Sequence, residues 1–92
     1  MIVRLRVFGV ISTRLGGAKA DVELPEGAVL RDLLDAIDAR WGATLAPDFW
    51  EPGTKRFKGS VLLVSEGMDL MDESSPLADE QQVMVLMPVS GG

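Results

Sequence analysis

The sequence predicts an α+β domain in which a small mixed sheet packs on one main helix. Three observations predict it. Residues 2–8 alternate apolar and polar side chains, residues 30–41 carry one apolar stripe at helical spacing, and residues 83–87 form an apolar run stopped by Pro88. Period two marks a strand with one buried side, and period 3.6 marks a helix with one buried stripe. Ninety-two residues suffice for one domain with a modest core, taken as residues 1–92 with a tail at about 88–92.

Composition narrows the chemistry. Hydrophobic residues are 47% and charged residues 25%, a globular balance. The net charge of −5 argues against nucleic acid, which needs a basic face to displace counterions, and favours partners with basic surfaces. Cysteine and histidine are both absent. That excludes disulfides, thiolate nucleophiles and cysteine-ligated metals, and it removes the commonest general base and metal ligand. No apolar run approaches the ~20 residues of a membrane span. Met1-Ile2-Val3-Arg4 reads as a strand and not as a signal peptide, so a cytoplasmic protein is expected.

In the first strand, residues 2–8, Val3, Leu5 and Val7 share one face, and Ile2, Arg4, Arg6 and Phe8 share the other. Gly9, Ser12, Thr13, Gly16 and Gly17 place a turn over 9–18. A second strand at about 19–24 turns Ala20, Val22 and Leu24 inward and Asp21 and Glu23 outward. If the two form a hairpin, Arg4 and Arg6 face Glu23 and Asp21, which favours that register by tenths of a kcal/mol per pair. Otherwise these are solvated charges.

Pro25-Glu26-Gly27 is a turn into the helix, about 30–41. Leu30, Leu33, Leu34, Ile37 and Trp41 form its inner stripe. Its start is weak because Val29 stands where Ser, Thr or Asp is preferred, and Asp32 compensates in part through the helix dipole. Gly42 reads as the stop. Residues 43–59 hold Pro47, Pro52, Gly53 and Gly59 with Phe49, Trp50 and Phe57. So long a connection is expected to contain a short helix or a distinctive surface. Its aromatics either cover the end of the core, the preferred reading, or contact a partner. The basic cluster of Lys55, Arg56 and Lys58 is too small for a nucleic-acid site.

Val61-Leu62-Leu63-Val64 reads as a short buried strand, residues 65–67 as a turn, and residues 68–71 as a brief edge strand. The acidic segment 72–80 lacks the Asp-x-Asp-x-Asp-Gly spacing of a calcium loop and reads as a solvated turn, so no metal is expected. The last strand is apolar on both faces: Val83, Val85 and Met87 on one, Met84, Leu86 and Pro88 on the other. One helix covers only one face of a small sheet, so the other face is uncovered or meets a partner. With the last strand central and parallel to the first, the architecture is the β-grasp, or ubiquitin-like, fold.

The tail Met87-Pro88-Val89-Ser90-Gly91-Gly92 leaves that strand. The chain is expected to end at Gly92 in a free carboxylate on a residue without Cβ, slim enough for a narrow channel. Extended, the five residues from Pro88 reach roughly 15–18 Å.

On these residues the sequence resembles the MoaD/ThiS family of ubiquitin-like sulfur carriers, most closely its MoaD branch. The matching pieces are Val3-Arg4-Leu5-Arg6-Val7-Phe8, Leu24-Pro25-Glu26-Gly27-Ala28 leading into Asp32-Leu33-Leu34, and Pro76-Leu77 with the strand and tail from Val83 to Gly92. The likeness spans the chain except about 43–59, which is longer and more aromatic than usual. The family often has Pro-Pro before the tail, where Met87 stands first here, and an Asn-Gly turn where Ser65-Glu66-Gly67 stands.

The resemblance implies a mechanism centred on Gly92. Its carboxylate would attack the α-phosphate of ATP on an E1-like adenylyltransferase of the MoeB/ThiF type, and a sulfur donor would displace AMP to leave a thiocarboxylate. In the MoaD branch this tail then enters the large, MoaE-type subunit of molybdopterin synthase and supplies dithiolene sulfur. Gly91 would share the slim tip with Gly92. Pro88, Val89 and Ser90 would meet the partner's channel, and Phe8, Met84 and Leu86 would dock on partner surfaces. No cofactor is bound by the chain itself, since ATP belongs to the partner enzyme, and no side-chain catalytic site is implied. Three alternatives stay open: the same chemistry for thiamine, cysteine or tRNA thiolation; a ubiquitin-like modifier joined to lysines through Gly92; and a β-grasp binding module with an incidental Gly-Gly.

Overall fold

Strand β1 spans Ile2–Val7, and its inward Val3, Leu5 and Val7 are fully buried. The computed structural model describes residues 1–58 and 61–87. After β1 come a one-turn helix α1 (Ile11–Arg14), strand β2 (Lys19–Glu23) and the main helix α2 (Leu30–Leu45). Then follow a short hairpin, β3 (Trp50–Glu51) with β4 (Arg56–Phe57), and the strands β5 (Leu62–Ser65), β6 (Met68–Asp69) and β7 (Gln82–Leu86). The main sheet has the order β2-β1-β7-β5-β6. Strand β7 lies at its centre, parallel to β1 and antiparallel to β5, as the sequence predicts.

The helix covers one face. Leu30, Leu33, Leu34, Ile37 and Trp41 are buried against Val3, Leu5, Val7, Val83 and Val85 of the sheet. A continuous stripe on α2 thus meets the inward half of two neighbouring central strands.

Four local readings change. Residues 9–18 are not a plain turn, because α1 drives Ile11 and Leu15 into the core. The hairpin register is displaced by two residues: Arg4 faces Asp21, while Glu23 faces Ile2 and Arg6 faces Lys19. A slip of two leaves every side chain on its face, so the hydrophobic pattern does not distinguish the two registers. The helix runs a turn past Gly42 and ends at Leu45, before Ala46-Pro47. Proline bars its predecessor from the helical region, and Ala46 is extended. Gly42 is instead a packing position: a Cβ there would lie 2.8 Å from the Asp38 carboxylate oxygen and 3.5 Å from Trp50 Nε1. Finally, the strand over 61–64 is covered on one side only, with Leu63 buried and Leu62 exposed.

The helix start is better built than Val29 suggests. Asp32 accepts the Val29 N–H at 2.8 Å. The next two amides, of Leu30 and Arg31, donate to the carbonyls of Ser75 (2.9 Å) and Glu73 (2.8 Å). The acidic segment therefore caps the helix, satisfying amides that have no partner within it. Among residues 43–58, Trp50 is fully buried, donates through Nε1 to Asp38 at 2.7 Å, and meets Phe57 edge-on at 4.8 Å. The aromatics do cover the end of the core. Among the described residues no helix is long and apolar enough to cross a membrane.

Candidate functional site

Opposite α2 the sheet has a second face with no element laid over it among the described residues. The strand registers fix its rows. Leu62 of β5 stands beside Leu86 of β7, and Val64 of β5 beside Met84 of β7. Phe8 follows β1 with its amide donating to the Val85 carbonyl at 3.1 Å, so the backbone pairing continues past the strand's end. Phe8 is 50% exposed and Leu62 38%, while Val64, Met84 and Leu86 are half-buried. The five side chains form one apolar patch at the end of the sheet where β7 runs out through Leu86 to Met87.

Three of the residues picked from the sequence, Phe8, Met84 and Leu86, are thus brought together. Pro88, Val89, Ser90, Gly91 and Gly92 lie outside the described residues. Leu62 and Val64 are the members that the sequence reading missed, because four apolar residues in a row read as a strand covered on both sides. The signal was available, since a single helix leaves one face of every strand uncovered.

The patch contains no arrangement for side-chain catalysis. It is a surface of hydrocarbon and thioether groups, suited to burial against another protein. Among the described residues a carboxyl held clearly below its ordinary range, Asp72, lies elsewhere, in the segment that caps α2. There it accepts the Ser74 N–H (2.9 Å) and hydroxyl (2.7 Å), and both favour the charged form. A cleft of about 310 Å³ between α2 and β4–β6, lined in part by Leu30, Leu34, Phe57 and Leu70, shares Leu62 with the patch and is otherwise formed on the side of the helix.

No protein-family model matches the sequence, and no curated protein sequence does. Solved structures do match. SAMP1 from Haloferax volcanii superposes with a TM-score of 0.81 at 17% identity, each chain covered completely. A protein assigned as molybdopterin converting factor subunit 1 from Pyrococcus furiosus gives 0.74 at 24% identity, over 97% of this chain and 99% of that one. A chain in the complex of subunits 1 and 2 of the molybdopterin-converting factor from Helicobacter pylori gives 0.67 at 20%, each chain covered completely.

The fold is the ubiquitin-like β-grasp. The resemblance drawn from the sequence is borne out at that level, since molybdopterin converting factor subunit 1 is among the structures that the chain matches end to end. In a β-grasp domain of this topology the central β7 supplies both the middle of the open face and the exit toward residues 88–92. The apolar patch therefore surrounds the end of the strand that leads, in sequence, to residues 88–92.

Proposed function

We propose that this protein is a sulfur carrier in which the carboxylate of Gly92, as the last residue, is the reacting group and the open face of the sheet is the docking surface. The observation that carries the reading is the placement of Phe8, Leu62, Val64, Met84 and Leu86 around the end of β7, from which the Gly-Gly tail continues. Docking through the patch would leave Pro88, Val89 and Ser90 to span a channel in the partner and Gly91 and Gly92 to enter its narrow end.

The chemistry follows from the carboxylate. Ionised at neutral pH, it is a poor electrophile and needs activation. On an E1-like adenylyltransferase of the MoeB/ThiF type, a Gly92 oxygen attacks the α-phosphate of ATP, and pyrophosphate leaves. Hydrosulfide, or a donor equivalent to it, then attacks the acyl carbon. AMP departs with the bridging oxygen, and a thiocarboxylate remains. The chain binds no cofactor of its own in this scheme, because the nucleotide is held by the enzyme. We place the carrier in molybdopterin synthesis as the small subunit beside a MoaE-type large subunit. The likeness to a subunit of the Helicobacter molybdopterin-converting factor complex supports that choice. The compartment that fits this chemistry is the cytoplasm.

A second reading keeps the adenylate and changes the acceptor: a lysine amine in place of sulfur, making the protein a modifier. The likeness to SAMP1 favours it, as do two further structures described as small archaeal modifier protein 1, from Haloferax volcanii and Methanosarcina acetivorans.

Intact mass spectrometry of the protein purified from its own host separates the two. The mass gain of one oxygen replaced by sulfur at Gly92 is expected for the carrier. Gly-Gly remnants on lysines of other proteins, with no sulfur-bearing form, would overturn it in favour of the modifier.

A further inference from the structure

The open face carries a charge pattern that its apolar centre does not explain. The strand registers put Lys19 of β2, Arg6 of β1, Met84 of β7, Val64 of β5 and Asp69 of β6 in one row across the sheet. With strands about 4.8 Å apart, the row runs roughly 19 Å from a basic end to an acidic one.

The basic end is the unusual part. Arg6 and Lys19 stand directly opposite each other, and like charges so placed disfavour the pairing that holds them. Two residue pairs along, the next position on this face is complementary: Arg4 faces Asp21 at 3.5 Å and also reaches Glu80 at 3.2 Å. The other arginines are engaged too. Arg14 pairs with Asp48, Arg31 with Asp35 and Glu73, and Arg56 with Glu73, while Arg40 lies over Trp41 and donates to the Asp21 carbonyl. Among the described residues Arg6 alone of the six arginines has no carboxylate, carbonyl or ring to meet, in a chain whose net charge is −5. It is half-buried beside Met84, and Lys19 is exposed next to it.

We infer that Arg6 and Lys19 are the specificity end of the docking face, and that the adenylyltransferase presents a carboxylate opposite them. This rests on the docking role proposed above and adds the partner's chemistry. A hydrocarbon patch gives attraction without direction. A cation pair at one end of the row and Asp69 at the other admits a complementary partner in one orientation and opposes the reversed one. Orientation matters because the tail leaves from one end of β7. A partner seated the wrong way round would bury the patch and leave Gly92 outside its active site. The inference also departs from the expectation drawn from net charge. An acidic chain suits basic partners at long range, yet at this face the local charge asks for an acid.

The test is steady-state adenylation of the carrier by the E1-like adenylyltransferase of the same host, read as pyrophosphate release. The variants are Arg6→Glu, Lys19→Glu and the double reversal, with Glu23→Lys on the same face as a control. Each reversal is expected to raise KM for the carrier at least about fivefold at low salt, with kcat unchanged. Arg6→Glu relieves the like-charge pair, so it should be no less stable than wild type by thermal melting. Weakened docking in that variant therefore does not come from unfolding. Raising salt from about 0.05 to about 0.5 M shortens the screening length roughly threefold. It should raise KM for wild type and leave KM for the double reversal flat or lower. A KM within twofold of wild type for the double reversal at low salt would overturn the inference while leaving the sulfur-carrier reading intact. So would a rise in KM for ATP with KM for the carrier unchanged. Failure of the wild-type chain to be adenylated at all would overturn that reading, and the inference with it.

Discussion

The two faces of the central sheet follow the same alternation and come to opposite ends. On the side of α2, Val3, Val83 and Val85 are 0% exposed; on the other side Phe8 is 50% and Leu62 38% exposed. The covered face spends its apolar area inside the domain and gives the fold its stability. The open face leaves its apolar area exposed, and in the proposed function that area is what a partner covers. Strand β7 contributes to both, so one residue's step along the strand exchanges a buried core residue for one on the open face.

Substitutions on either side sharpen that contrast. Leu33→Ala, on the stripe of α2 and fully buried, is expected to cost about 2–5 kcal/mol in denaturant unfolding, from lost transfer energy and an unfilled cavity. Carrier that remains folded should keep its affinity for partners. The contrast breaks if stability is unchanged.

Leu86→Ala, one position from the buried Val85, should reverse the pattern. Stability is expected to fall by less than about 1 kcal/mol, because Leu86 is only half-buried. KM for the adenylyltransferase should rise about tenfold, equivalent to about 1.4 kcal/mol. A large loss of stability with no change in KM would make Leu86 core and not docking surface.

The smallest effect belongs to neither face. The Asp72 carboxyl is lowered by its Ser74 hydrogen bonds in the turn that supplies the Glu73 and Ser75 carbonyls to α2. A depressed folded pKa contributes stability that is present above the unfolded value and lost as pH falls through the folded one. The stability gap between wild type and Asp72→Ala should therefore be level near neutrality and narrow on acidification below the ordinary carboxylate range. A gap independent of pH would detach the cap from the Asp72 charge.

Much of this division is legible in the sequence. The alternation in residues 2–8 and the stripe from Leu30 to Trp41 identify the covered face, and the doubly apolar β7 announces that a second face exists. Other features depend on contacts distant in the chain. Gly42 reads as a helix stop until Trp50 and Asp38 are seen packed against it. The Leu30 and Arg31 amides find their caps in residues some 40 positions away. Helix α1 is four residues long among turn-formers, with Ser12 and Thr13 bonding back to the Gly9 and Val10 carbonyls, too short for periodicity to register. The Arg6–Lys19 pair was hidden by the same ambiguity that displaced the hairpin register by two. The tail residues Gly91 and Gly92 were legible as a motif alone, and they lie outside the described residues.

The most direct test of the central claim follows from that tail. ATP-dependent pyrophosphate release by the host adenylyltransferase should be measured with the full chain and with a chain lacking only Gly92. Release that requires the carrier and disappears with Gly92, while both chains melt at the same temperature, is the expected result. Equal release from the two chains would contradict the claim that the Gly92 carboxylate is the reacting group.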